Sequence, residues 1–251
     1  MARETRKKPA AKLKAKAKAK AAAAAPAKPR LWLRVIGWVA AGLLAAVLLS
    51  VLYVRFLPPP MGVYMLSERM RLGSVQRQWV PLSGMSPHLP LSVVAAEDAN
   101  FCLHYGFDFE AIRDAFGDDS RRRGGSTISQ QVAKNVYLWH GRTWLRKGLE
   151  AGFAGLIELT WPKRRIVEVY LNVAEFDQGV FGAAAAAQHY FGVTPDKVSA
   201  TQAARLAAVL PSPKKSSAGK PSAYIRKRAG QILSGAGTIA ADGRADCFTS
   251  G

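Results

Sequence analysis

Cysteine is almost absent from this chain: Cys102 and Cys247 are the two in 251 residues. Two thiols are too few for a disulfide scaffold, and their spacing fits no zinc motif. Acids are scarce too, 17 against 36 Lys and Arg, for a formal charge of +19. The imbalance is local. Residues 1–34 hold twelve basic groups and a single acid, Glu4, for a net +11, while the other 217 residues carry +8. With 49% apolar residues, disorder throughout is excluded. The length suits one domain of roughly 150–200 residues plus extras, not a large multidomain enzyme.

Residues 7–30 form a low-complexity Lys/Ala tract. Alanine favours helix, but like charges at every second position repel and nothing there forms a core. The tract reads as a mobile cationic arm. Basic arms often meet nucleic acid, but this one runs straight into Val35–Val54, 20 residues without a charge. That run is long enough to cross roughly 30 Å of hydrocarbon as a helix. Arg34 and Arg55 bracket it, and Trp32, Trp38 and Tyr53 suit the interfaces. A cleaved signal peptide has a shorter apolar stretch and a small-residue cleavage site. The positive charge before the span predicts a cytoplasmic arm (1–34), a transmembrane helix (35–54) and an extracytoplasmic remainder. No nucleic-acid partner is expected. In that outer compartment the two cysteines are free to oxidise, though nothing in the sequence requires it. A tether of this kind concentrates a domain against lipid-borne molecules.

After a linker and membrane-proximal segment (55–88), the pattern from 89 to 213 is mostly helical, with no convincing alternating strand. Residues 90–99 read as a helix carrying Glu97 and Asp98 near its end. Phe101, Phe107 and Phe109 offer core contacts. A charged loop, Asp118–Arg123, precedes Gly124-Gly125 and a helix opened by a Thr127/Gln130 capping box, with Ile128, Val132 and Val136 inward. Gln130 and Lys134 share another face.

In the next helix Trp144, Leu145, Leu149, Phe153, Leu156 and Ile157 form the apolar stripe expected to face the core. Arg142, Arg146 and Glu150 recur every four residues on a different face. That row is either a surface salt-bridge ladder, worth a few tenths of a kcal/mol per pair, or two guanidiniums aimed at phosphate beside a carboxylate. Periodicity alone leaves both open. Pro162 opens a further helix, Gly179–Gly182 with Ala183–Ala187 suggests close backbone packing, and Ser199 with Gln202 caps a last apolar helix that stops at Pro211. Residues 214–251 read as a basic segment with a poorly ordered Gly/Ala/Asp tail.

Five ordered segments resemble the signatures of the peptidoglycan glycosyltransferases, the polymerase module of penicillin-binding proteins. They are Glu97–Asp108, Gly124–Asn135, Arg146–Glu150, Lys163–Asn172 and Gly179–Gly192. The single span is most similar to the monofunctional branch. Ser129 stands where the second signature usually has Thr, and Gln202 where a late helix usually has Glu. Two Ser-x-x-Lys matches, Ser212–Lys215 and Ser217–Lys220, have no accompanying Lys-Thr-Gly and read as accidents of a Lys/Ser-rich loop.

The resemblance implies a mainly α, lysozyme-like glycosyltransferase domain with a small membrane-proximal lobe. It implies a substrate of disaccharide-pentapeptide on undecaprenyl pyrophosphate, joined into β-1,4 glycan strands with inversion. By motif, Glu97 is the base for the acceptor 4-hydroxyl and Glu150 the second essential carboxylate. Ser126, Gln130 and Gln131 are expected to hydrogen-bond sugar or phosphate, and Lys134, Arg142, Arg146 and Lys147 to meet the pyrophosphate. Guanidinium forks suit phosphate oxygens. Mg2+ or Mn2+ on the pyrophosphate, near Glu150, is a family-level expectation, with no organic cofactor. Membrane lipid and other cell-wall synthesis proteins are the remaining expected partners. The rivals are a glycan-cleaving enzyme of the same shape, which has little use for a cation cluster because its leaving group is a neutral sugar, and a catalytically silent scaffold.

Overall fold

The computed structural model describes residue 18 and residues 31–109, 125–141 and 143–249. The Lys/Ala arm, apart from Lys18, and the Asp118–Arg123 loop therefore lie outside the described residues, as does Arg142. The uncharged run forms one helix, α1, Leu31–Phe56. Its first part belongs to a unit of residues 1–48 and its last turns to a second unit, 49–251. In the first unit most of its described side chains are exposed, Trp38 to 79%. The helix is long and apolar enough to cross a membrane.

The second unit is mainly helical: α2 Val63–Leu72, α3 His88–Glu97, α4 Ile128–Tyr137, α5 Trp144–Thr160, α6 Lys163–Val173, α7 Ala183–Phe191, α8 Ala200–Val209, α9 Ala223–Ala241 and α10 Asp246–Thr249. Both expected capping boxes form. Thr127 and Gln130 exchange side-chain and backbone hydrogen bonds at 3.2 and 3.3 Å, and Ser199 and Gln202 do so at 2.9 and 3.3 Å. The unit also holds three short strands that the sequence did not suggest: β1 Gln76–Arg77, β2 Glu175–Asp177 and β3 Val180–Phe181. They lie in the order β1-β3-β2, with β3 parallel to β1 and antiparallel to β2. Strands of two or three residues are too short for alternation to register.

The core is built where α3, α8 and α9 meet, from Val93 and Val94, Leu206 and Ala207, and Ile225, Ile232 and Ile239. Phe101, fully buried, joins the core four residues after Glu97. Two glycines permit the close approaches. A Cβ on Gly62 would lie 2.2 Å from the Asn135 carbonyl, so α2 starts hard against the end of α4. Gly182 has φ +87° and abuts Asn172, as the Gly/Ala run implied.

Three expectations need correction. Phe109 is 76% exposed and contributes nothing to the core. Residues 55–88 are no mere linker, since they contain α2, β1 and buried Met65, Leu82 and Met85. The tail is not loose either. Ile225, Ala229, Ile232, Ala236 and Ile239 recur at helical spacing through α9, a period that intervening Gly and Ala residues had obscured. Beyond it α10 buries Phe248 and bonds Cys247 to Cys102, a pairing that the sequence left undecided.

Candidate active site

Glu97 ends α3 and Asp98 caps it, its backbone N–H returning to the Val94 carbonyl. The break after them is pinned by side chains. Asp98 accepts from the Ile128 N–H at 3.0 Å, and His104 Nε2 lies 2.8 Å from its other oxygen. Thr127 donates to the Gly106 carbonyl at 2.7 Å. Lys163 donates to the His104 carbonyl at 2.6 Å and pairs with Glu158 at 3.0 Å. These contacts fix the loop after Glu97 against the start of α4. Asp98, His104 and Asp108 each offer a ligand atom within 4.8 Å of the others, the one such group among the described residues. Asp98 already spends both oxygens on Ile128 and His104, so the group reads as a loop anchor.

Glu97 is half-buried. Gln131 Nε2 donates to its Oε2 at 2.9 Å, and the Tyr170 hydroxyl donates to Gln131 Oε1 at 3.0 Å. This relay from α6 through α4 fixes which end of the amide faces the carboxylate. Burial pushes the Glu97 carboxyl above the usual range, while the Gln131 hydrogen bond and the fields of Arg228 and Lys134 pull against it. Arg228 comes from α9, and its Nε is buried without a hydrogen-bond partner. Lys134 is pushed down from the usual lysine value, chiefly by burial, with Glu150 acting the other way.

The polar row on α5 resolves in an unforeseen way. Glu150 is 3% exposed and takes Arg146 on one oxygen and Lys147 on the other, each at 2.5 Å. Arg146 is 8% exposed and also donates from Nε to the Gly141 carbonyl at 2.7 Å. The pair is no surface ladder. The stripe expected in the core is partly turned outward instead: Trp144 is 93% exposed, and Leu145 and Leu149 are exposed too, while Ala154 and Ile157 are buried. Amphipathicity locates two faces, but which one is buried depends on what the helix packs against.

Of the expected site residues, Ser126 accepts from Lys147 at 3.2 Å, which joins the start of α4 to this cation cluster. Gln131 and Lys134 face Glu97. Gln130 is buried and its side-chain oxygen is spent on the capping box. Arg142 falls outside the described residues.

Beside Gln131, Lys134 and Tyr170 lies a cavity of about 180 Å³, whose other polar walls are Tyr64, Asn135, His140 and Glu175. Motif reasoning had assigned these four no role. Tyr64 donates to Glu175, which also accepts from the Gly179 N–H at 3.1 Å. Tyr64 stacks on His140 at 3.6 Å between ring centroids. Burial, then the charges of Lys134 and Lys214, push His140 down to about 4, so it is neutral at pH 7. Burial raises Glu175. A lone acid inside the apolar stretch Val173–Phe176 was the signal available for Glu175; Tyr64 and His140 had none.

Glu150 does not suit a resident divalent metal, because each of its oxygens already meets a cation. The site is a carboxylate with a raised proton affinity, facing a cluster of cations. Such an arrangement takes a proton at one end and meets negative charge at the other.

The transglycosylase family model matches residues 65–236. A protein of Jannaschia sp. (strain CCS1) named biosynthetic peptidoglycan transglycosylase is 56% identical over 209 residues, covering 83% of this chain and 87% of its own. Proteins of the same name from Caulobacter vibrioides and Rhodospirillum centenum are each 50% identical. They cover 82% and 88% of this chain and 91% and 96% of their own.

Proposed function

The chain belongs to the transglycosylase family, and on that premise we propose that it polymerises peptidoglycan glycan strands outside the membrane that α1 crosses. The substrate is the disaccharide-pentapeptide carried on undecaprenyl pyrophosphate. Glu97 takes the proton from the acceptor 4-hydroxyl. That oxygen attacks the anomeric carbon of the lipid-linked growing chain opposite its α-pyrophosphate, so the new β-1,4 bond forms with inversion and undecaprenyl pyrophosphate leaves. A carboxylate placed this way contributes about 10²–10⁴-fold.

The observation that carries the reading is a half-buried Glu97, hydrogen-bonded to Gln131 and within the field of Lys134; Lys134 and Lys147 supply the charge for the departing group. Arg142 joins them by motif. Arg146 acts from behind: it holds the Gly141 carbonyl and Glu150, and so orders the segment that leads into α5. No step here is routed through a metal, because Glu150 is saturated by cations. The exposed Trp144 and Leu145 beside the cluster suit a site that works on lipid-borne molecules at a bilayer surface. The positive charge before α1 supports a cytoplasmic N-terminus.

The test is polymer formation from labelled lipid-linked precursor. Glu97→Gln should lower it by about a hundredfold or more while leaving the melting temperature near that of the wild type. Near-normal polymerisation by a folded Glu97→Gln chain would remove Glu97 from the mechanism. Release of sugars from lipid-free glycan would replace the polymerase with a hydrolase.

A further inference from the structure

A helix that leaves a bilayer has unsatisfied carbonyls in its last turn and a partial negative charge at that end. A tethered domain needs only a flexible linker beyond that point. Here six residues, Leu57–Gly62, separate α1 from α2. Carbonyls in the last turns of α1 and in the connection after it, all within the 49–251 unit, are taken by side chains of that unit. Trp161 Nε1 donates to the Val51 carbonyl at 2.9 Å. Arg165 donates to Val54 from Nε at 3.1 Å and from Nη2 at 2.8 Å, and to Leu57 at 2.7 Å. Arg77 donates to Pro59 at 2.8 Å. In the other direction, Arg55 donates to the Thr160 carbonyl. Val51 and Val54 are 1% and 3% exposed.

Arg165 is itself held. It pairs with Glu168, whose other oxygen accepts the Leu82 N–H at 2.9 Å, and it lies 5.2 Å over the Trp79 ring. Arg165 and Glu168 belong to the fourth signature segment, yet neither touches Glu97 or the cation cluster among the contacts above.

We propose that Arg165, with Trp161 and Arg77, is a positioning clamp. It grips the last turns of α1, residues 49–56, so that the active site meets a bilayer-borne pyrophosphate at one depth. The inference rests on the function proposed above. A micelle imposes no fixed depth on its substrate, so the clamp matters in a bilayer and not in detergent.

The test compares full-length wild type, Arg165→Ala, Arg165→Lys and Trp161→Phe on lipid-linked precursor, in detergent micelles and in lipid vesicles. Trp161→Phe removes the N–H donor and leaves a smaller aromatic ring in its place. Misplacing a reacting group by about 1 Å can cost about a hundredfold. Arg165→Ala should therefore lose about tenfold or more in vesicles, mainly in kcat, yet stay within about twofold in detergent. Arg165→Lys should recover part of the loss, and Trp161→Phe should show a smaller, vesicle-only loss. Equal losses in both media, or none in vesicles, overturn the clamp and leave the polymerase standing. A wild-type chain that makes no polymer in either medium overturns the proposed function itself.

Discussion

Reducing the Cys102–Cys247 bond should destabilise the catalytic unit by a calculable amount. The bridge spans 145 residues of sequence. In the chain-entropy description, a cross-link over such a loop removes about 5 kcal/mol of disorder from the unfolded state, while native bridges commonly deliver about 2–4 kcal/mol. A domain of roughly 150–250 residues loses about 2–4 °C of melting temperature per kcal/mol. The expected fall is therefore about 4–16 °C on adding reductant or on changing both cysteines to alanine. The bond ties α10 to the 3-10 turn Phe101–Leu103, which starts four residues after Glu97. Phe248 of α10 packs near Phe101, with ring centroids 6.4 Å apart. Loosening α10 should thus raise hydrogen exchange in the loop after Glu97 before it does so in α6. The assay is thermal unfolding of purified chain with and without reductant, beside the double alanine variant, which should ignore reductant. Two thiols titrating in non-reduced, unfolded protein, or a melting temperature indifferent to reductant, would refute the reasoning.

Glu150→Ala leaves Arg146 buried without its partner and should cost about 3–5 kcal/mol in chemical denaturation; a loss below about 1 kcal/mol would return the pair to the surface. The acid limb of the rate profile should lie above that of an ordinary carboxylate, because Glu97 must be unprotonated and burial raises its pKa. Gln131→Leu removes an interaction that holds it down, so the limb should move to higher pH, and a limb that stays put or falls contradicts the relay. Lys134 must stay protonated and its pKa is lowered, so the alkaline limb should begin below the usual lysine range and drop further in Glu150→Gln. On α5, Trp144→Ala should change stability by less than about 0.5 kcal/mol and Ile157→Ala by about 2–5 kcal/mol, both read by denaturant titration.

Local chemistry was legible from the chain alone. The uncharged run from Val35 to Val54 and the two capping boxes depend on neighbours within a few residues, and each formed as read, while the helix read over 90–99 runs from His88 to Glu97. The paired glutamates and the basic residues around them could be named because short motifs carry them. Which face of α5 is buried could not be read, because the burial of Arg146 and Glu150 depends on what the helix packs against, including Ser126 at the start of α4, which meets Lys147 beside them.

The same limit governs the rest. Tyr64 and Glu175 are 111 residues apart, Arg165 and Val54 likewise, and Cys102 and Cys247 still farther. Sequence determined the membrane-length segment and the capped helices, since propensity, capping and hydropathy act over one or two turns. Only the tertiary structure decided which polar side chains share a buried space. The cost of leaving a charge or a carbonyl unpaired there is settled by partners that no local pattern contains.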